Sequence, residues 1–179
     1  MDGERFKRVL RACFEAQVMN HGDYSLVYGR HSGSGPALVL GYRHSPLELV
    51  MCPVGERILA GMNGAGHGGV VPSAAAVSSV GLTNVATVAD TGTAYEVESV
   101  TGVRASFEVH GTPRISTGTA STGLGDGTAI LDQRQDAEDF HRFMGDFMDT
   151  LDGFYRVPDT VDFPGTLVAS WFSAGPLDP

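Results

Sequence analysis

The stretch with the most distinctive chemistry runs from Gly61 to Gly69 and reads Gly-Met-Asn-Gly-Ala-Gly-His-Gly-Gly. Closely spaced glycines let several backbone N–H groups approach a ligand, because no Cβ atom stands in the way. His67 is the one side chain in the stretch that exchanges a proton near neutral pH. We therefore predict that His67 is an acid/base residue. We predict ligand contacts at the surrounding positions Asn63, Gly64, Gly66, Gly68 and Gly69.

The same stretch contains a nucleotide-binding pattern, because Gly64, Gly66 and Gly69 satisfy G-x-G-x-x-G and Asp90 follows at the end of a predicted strand. That pattern works only when a parallel strand precedes the loop and a helix follows it, so that the phosphates meet free amides. Here Pro72 disturbs the following helix, and the chain lacks βαβ alternation. We therefore expect no nucleotide and no other cofactor.

Asn63 followed by His67-Gly68-Gly69 resembles the catalytic loop of hotdog-fold thioesterases. The resemblance implies that amides of the helix after the loop polarise a thioester carbonyl and stabilise its oxyanion. The sequence departs from that family in the short spacing from Asn63 to His67. It also has alanine at 74–76, where the family commonly places an Asp or Glu. A hotdog-like thioesterase is the third of our functional hypotheses.

A second group of polar residues lies in the predicted early strands. Tyr28 shares a strand face with other apolar side chains, while Tyr42 and Arg43 follow in the next strand. Phenols and cations at one end of a sheet suit an apolar cavity with polar groups at its mouth. The alternative is that the tyrosines lie at the edge of an ordinary core. Tyr28, Tyr42 and Arg43 are therefore our further catalytic candidates.

Charge and composition exclude several classes of partner. The net charge of -9 opposes binding to a phosphate backbone, so we expect no nucleic-acid partner. No apolar run approaches the roughly 20 residues of a membrane span, and we expect no membrane partner and a cytoplasmic location. The six histidines lack the spacing that gathers metal ligands on one element, so we expect no metal. Cys13 and Cys52 are expected to be reduced core residues.

Apolar periodicity predicts two amphipathic helices, one from Phe6 to Val18 and one from about residue 136 to 151, where Gly145 is taken to mark a close approach to the sheet. A short helix is predicted over Val70–Val80. Alternating apolar residues and turn compositions predict strands over Tyr24–Arg30, Ala37–Arg43, Leu47–Pro53, Thr83–Ala89, Tyr95–Ser99, Val103–His110, Arg114–Ala120 and Thr128–Leu131.

The hairpin from Tyr95 to His110 allows its register to be predicted. A three-residue loop, 100–102, puts Gly102 where a positive φ is needed. That loop sets Tyr95 opposite Phe107 and Val97 opposite Ala105, which keeps apolar side chains on one face. A two-residue loop would mix the faces, so we expect the three-residue loop.

These patterns predict one α+β domain over residues 1–179. It has a bent antiparallel sheet of about six to eight strands, open or barrel-like, with both helices packed on one face. The leading functional hypothesis is a small-molecule-binding protein, with a cofactor-free enzyme of acyl-handling, cyclase or isomerase type as its catalytic form. The alternative is a non-catalytic interaction domain, chaperone-like or assembling into a homo-oligomer through the middle of the chain, which is rich in Gly, Ala and Ser.

Overall fold

The computed structural model describes residues 3–55, 76–116 and 128–155. These residues form two α-helices, α1 (Gly3–Glu15) and α2 (Arg134–Tyr155), and a short 3-10 helix over His21–Asp23. They also form nine strands: β1 (Ser25–His31), β2 (Ala37–His44), β3 (Leu47–Val54), β4 (Ser78–Gly81), β5 (Val85–Asp90), β6 (Tyr95–Ser99), β7 (Arg104–Glu108), β8 (Arg114–Ser116) and β9 (Thr128–Ile130). The expected α+β class is confirmed. Among the described residues, no helix has the length and apolar character needed to cross a membrane.

Seven strands form one sheet in the order β4-β3-β2-β1-β7-β6-β5, and every neighbouring pair is antiparallel. Strands β8 and β9 form a separate antiparallel pair. The large sheet therefore consists of two meanders, β1 to β4 and β5 to β7, which meet where β1 pairs with β7. Because β4 and β5 do not pair, the sheet is open rather than closed into a barrel.

The connection between the two outermost strands shows that the sheet is strongly curled. Seven strands spaced about 4.8 Å apart would place β4 and β5 roughly 29 Å apart in a flat sheet. Only residues 82–84 join Gly81 to Val85, a span of at most about 15 Å. Asn84 fixes this corner, since its side chain accepts a hydrogen bond from the Gly81 N–H and donates one to the Ser79 carbonyl. The bent sheet predicted from the sequence is confirmed.

The prediction that both helices pack on one face is wrong, because the two helices cover opposite faces. The core around α2 draws side chains from all seven strands of the large sheet and includes Leu38, Leu40 and Phe107. The core around α1 instead contains Val39 together with side chains of β1 and β3. Successive side chains of a strand point to opposite faces, so Val39 and its neighbours Leu38 and Leu40 assign the two helices to different sides.

Helix α1 lies close to the sheet because Gly41 makes room for it. A Cβ atom at Gly41 would lie 2.3 Å from the ring of Phe14, well inside van der Waals contact. Phe14 is fully buried, and its ring meets that of Tyr24 edge to face at 5.4 Å. The missing side chain of Gly41 therefore lets Phe14 rest directly on β2.

The sheet opens between β1 and β7, and the side chain of Gln133 fills the opening. Only Arg30 and His31 of β1 pair with β7. Further along β1, the Gln133 side chain accepts a hydrogen bond from the Tyr28 N–H and donates to the Tyr28 carbonyl, both at 2.9 Å. It also donates to the carbonyl of His110 at 2.8 Å. Gln133 therefore replaces backbone pairing where the strands separate.

The chain crosses the sheet through this opening. Leu131 is buried in the core beside α1, whereas Ala137 is buried in the core around α2. The start of α2 is consequently linked to α1 by the ion pair between Lys7 and Asp136, whose charged atoms are 2.8 Å apart.

Local patterns predicted several features correctly. The three-residue loop 100–102 has Gly102 at φ 83°, and Tyr95 lies opposite Phe107 as expected.

The short helix predicted up to Val80 is wrong at its end, because Ser78 to Val80 belong to strand β4. Gly145 marks no close approach, since a Cβ there would meet nothing within 4 Å among the described residues.

Candidate functional site

The predicted loop residues Asn63, Gly64, Gly66, His67, Gly68 and Gly69 lie outside the described residues. The strands on either side of that segment are described. Strand β3 ends at Val54, which pairs with Ala37, and Ala37 in turn lies opposite Arg30. Arg30 pairs with Glu108 at the end of β7. Glu108 and the end of β3 therefore lie at the same end of the sheet, which we call the Glu108 end.

The structure does not gather the other three predicted residues into one site. Tyr28 lies in the core beside α1, whereas Tyr42 lies in the core around α2. Arg43 follows Tyr42 directly in β2 and therefore points to the opposite face. The Tyr42 ring packs against Phe140 and Phe143 at 5.3 and 5.1 Å, so Tyr42 is a core residue around α2.

Arg43 belongs to a compact cluster of three side chains at the other end of the sheet. Its guanidinium pairs with the Glu48 carboxylate at 2.5 Å and lies over the Tyr24 ring, 4.8 Å from the centroid. The Tyr24 hydroxyl donates to the same carboxylate at 2.7 Å. Burial, with the hydrogen bond to Glu48 as the next cause, raises the pKa of Tyr24 to about 12. The charge of Arg43 is thus already neutralised, and the cluster joins neighbouring strands.

A cleft opens at the Glu108 end of the sheet. It has a volume of about 780 Å³, and its walls are the turn between β5 and β6, the end of β7 and one turn of α2. The titratable side chains that line it are Asp90, Tyr95, Glu108, His110 and His141. We call this space the histidine cleft.

The shortest contact in the histidine cleft joins Tyr95 and His141. The Tyr95 hydroxyl lies 2.7 Å from Nδ1 of His141. The Tyr95 ring is 7% exposed and packs against Phe107 and Phe140, which fixes the position of the hydroxyl. Burial, with Asp90 as the second cause, raises the pKa of Tyr95 to about 12. The phenol therefore stays protonated at neutral pH and acts as a neutral hydrogen-bonding partner of the imidazole.

The remaining polar residues of the histidine cleft lie in fixed positions around this pair. Nε2 of His110 is 3.2 Å from the Glu108 carboxylate. Asp90 accepts a hydrogen bond from the Gly92 N–H at 2.7 Å, which holds the turn between β5 and β6. Nε2 of His141 has no hydrogen-bond partner among the residues that the structure describes, so it is available to a molecule in the cleft.

Sequence patterns do not predict that Tyr95 and His141 are in contact, because 46 positions separate the two residues. A partial signal was present. The correct hairpin register puts Tyr95 opposite Phe107, and the stripe of α2 includes Phe140 next to His141. That Phe107 and Phe140 would meet in one core, and so bring Tyr95 to His141, is a tertiary fact that no local pattern contains.

No protein-family model, curated protein or solved structure matches this chain. Within the described ranges, no group of three or more His, Cys, Asp or Glu side chains is arranged to hold a metal ion. The large sheet is antiparallel throughout, unlike the parallel sheet that a G-x-G-x-x-G nucleotide loop requires.

Proposed function

We propose that the protein binds a small molecule in the histidine cleft and transfers a proton to or from it, with His141 as the acid/base residue and Tyr95 as its positioning residue. The observation that carries this proposal is the 2.7 Å contact between the Tyr95 hydroxyl and Nδ1 of His141 at the wall of a cleft of about 780 Å³. Such a combination of a concave space and an oriented histidine is typical of acid/base sites.

The direction of the hydrogen bond decides what His141 can do. When Nδ1–H donates to the Tyr95 oxygen, Nε2 keeps a lone pair that accepts a proton from a bound molecule. The imidazolium formed in this way returns the proton from Nε2, and Nδ1–H remains bound to Tyr95 throughout. This reaction moves one proton within a bound molecule and consumes no co-reactant, which fits a cofactor-free isomerase or cyclase.

The segment that contains His67 is also relevant to this proposal. The last residue of β3, Val54, and the first residues of β4 flank that segment, and Val54 lies at the Glu108 end of the sheet. The acid/base role of His67 and the ligand contacts of the neighbouring glycines, which lie outside the described residues, stay a proposal.

A binding screen of small neutral carbonyl compounds tests the proposed function. Binding is monitored through the Hε1 NMR signals of the histidine imidazoles. We expect a bound compound to shift the signals of His141 and His110 and to leave His21, which lies outside the cleft, unchanged. His141→Gln should abolish exchange of the compound's α-hydrogens with deuterium from D2O, whereas His21→Gln should not. Exchange that persists in His141→Gln would contradict the assignment.

Strand β5 favours a second function, assembly into a homo-oligomer. In the described part of the chain, β5 pairs on one side only, and it reads Val-Ala-Thr-Val-Ala-Asp with a single charge at its end. Natural edge strands usually carry lysine, proline or a bulge that prevents pairing with another chain. A bulge occurs near Val85, but Thr87 to Asp90 continue in regular register.

Native mass spectrometry tests assembly through β5. We expect a dimer for the unmodified protein and a monomer for Thr87→Lys, because a charge on an edge strand opposes pairing with a second copy. Ser79→Lys provides the matched control, since it places the same charge on the other edge strand, β4. A monomeric unmodified protein would rule out this second function.

A further inference from the structure

A second cavity lies on the opposite side of the opening in the sheet and shares no lining residue with the histidine cleft. It has a volume of about 400 Å³ and is enclosed by α1, β1 and the start of α2. We call it the α1 groove. Its position follows from the fold, because the sheet opens between β1 and β7 and α1 covers only the strands on one side of that opening.

The α1 groove is bordered by three cations of one helix. Lys7, Arg8 and Arg11 lie within about one turn of α1, and all three line the cavity. Lys7 is the only lysine of the chain and is already paired with Asp136 at 2.8 Å. Glu4 adds one further negative charge to the lining, so the formal charges sum to +1 in a protein whose net charge is -9.

Arg8 and Arg11 are the cations that remain for a ligand. Neither forms an ion pair or a hydrogen bond with any other residue that the structure describes, and both are exposed. Four other arginines, by contrast, are each paired with a carboxylate: Arg43, Arg104, Arg134 and Arg142. Two guanidinium groups three residues apart on a helix face the same side and offer forked donors that match an oxyanion.

Part of the inner wall of the α1 groove is apolar, beside the polar side chains of Ser25, Tyr28 and Gln133. Leu10, Val39 and Leu131 line it, and each of them is at most 5% exposed. A ligand that fits both the two arginines and the apolar side chains therefore carries an oxyanion at one end and a compact apolar body at the other. The gain in binding free energy comes from the apolar body of the ligand, whose own surface leaves water when it enters the groove.

We propose that the α1 groove is a binding site for a small amphipathic anion, in which Arg8 and Arg11 bind the phosphate or carboxylate group and Leu10, Val39 and Leu131 contact the apolar body. The site is separate from the histidine cleft, and its occupancy does not depend on proton transfer there.

Isothermal titration calorimetry with phenyl phosphate tests the proposal. We expect binding that weakens as the salt concentration rises, because charge attraction contributes to it. The double variant Arg8→Gln/Arg11→Gln should bind at least tenfold more weakly. The matched control Arg104→Gln/Arg142→Gln removes the same charge from two paired arginines outside the groove and should leave the affinity unchanged.

Three further probes separate the parts of the ligand. Phenylacetate should bind if the site accepts carboxylates as well as phosphates, and failure of phenylacetate alone would restrict the ligand to phosphates. Inorganic phosphate should bind more weakly than phenyl phosphate, because it lacks the apolar body. Three results would overturn the proposal. They are equal binding of phenol and phenyl phosphate, no binding of phenyl phosphate or phenylacetate, and equal affinity of phenyl phosphate for the two double variants. The His141 signal stays unchanged in every supporting outcome, so failure here is distinguishable from failure of the histidine cleft.

Discussion

Gln133 shows how one side chain determines the path of the whole chain. It is 2% exposed and satisfies three backbone groups, two on Tyr28 and one on His110, where β1 and β7 no longer pair. Buried backbone groups are almost always hydrogen-bonded, and the opening in the sheet would otherwise leave these three without partners. The opening in turn supplies both the crossing point of the chain and one wall of the α1 groove.

Gln133→Ala should therefore destabilise the protein strongly. It leaves three buried backbone groups unpaired, and we expect a loss of about 3 kcal/mol or more in the free energy of unfolding. Urea denaturation, monitored by far-UV circular dichroism, measures this loss. Gln135→Ala is the control, because Gln135 is exposed and its side chain bonds only to Asp139 among the described residues, and its effect should stay within about 0.5 kcal/mol. Equal effects of the two substitutions would contradict the role given to Gln133.

The roles of single residues were the least predictable part of the molecule. A glutamine at the start of an amphipathic helix is usually exposed, so neither the residue type nor the sequence position of Gln133 indicated that it is buried. Arg43 was predicted as a catalytic candidate, and the structure pairs it with Glu48 of the neighbouring strand. Partners brought together by strand pairing and helix docking are not encoded in the spacing of any one motif.

Among the structural elements, two glycines differ in what surrounds them. Phe14 of α1 rests on Gly41, whereas Gly145 of α2 has free space around it among the described residues. A glycine that receives a neighbouring ring and a glycine on an open helix surface should respond to the same substitution with opposite signs.

Gly41→Ala should destabilise the protein by about 1–3 kcal/mol, because the new methyl group overlaps the Phe14 ring and forces α1 to shift. Gly145→Ala should stabilise it by about 1 kcal/mol, because alanine favours the helical backbone and nothing obstructs its side chain. Thermal and urea unfolding of the two variants measure both effects. A stabilising Gly41→Ala would show that Phe14 does not rest on β2 in this way.

The elements themselves were predicted well where local chemistry decides them. The β6–β7 hairpin follows from Gly102 and from alternating side chains, and strand β6 was predicted with the observed bounds. The faces of the helices were predicted wrongly because an apolar stripe shows that a helix is buried but not on which side. A signal was available in Leu38-Val39-Leu40 and in Leu49 to Cys52, since consecutive buried residues indicate strands covered on both faces.

In the whole molecule, one curled sheet lies between the histidine cleft and the α1 groove, for which we propose ligands of different chemistry. Helix α2 lies inside the curl and contributes His141 to the histidine cleft. Helix α1 lies outside it and contributes Arg8 and Arg11 to the α1 groove. The curl was predictable in outline, but the join between β1 and β7, which links residues 75 or more positions apart, was not.

The position of the proton on the His141 imidazole decides whether Nε2 can accept a proton from a ligand. We expect long-range 1H–15N NMR spectra to show the imidazole proton of His141 on Nδ1, donated to Tyr95, and an unprotonated Nε2. Because burial raises the pKa of Tyr95 to about 12, this pattern should persist up to at least pH 10 and disappear in Tyr95→Phe. A proton on Nε2 in the unmodified protein, or a tautomer unchanged by Tyr95→Phe, would contradict the proposal that His141 accepts a proton from a molecule bound in the histidine cleft.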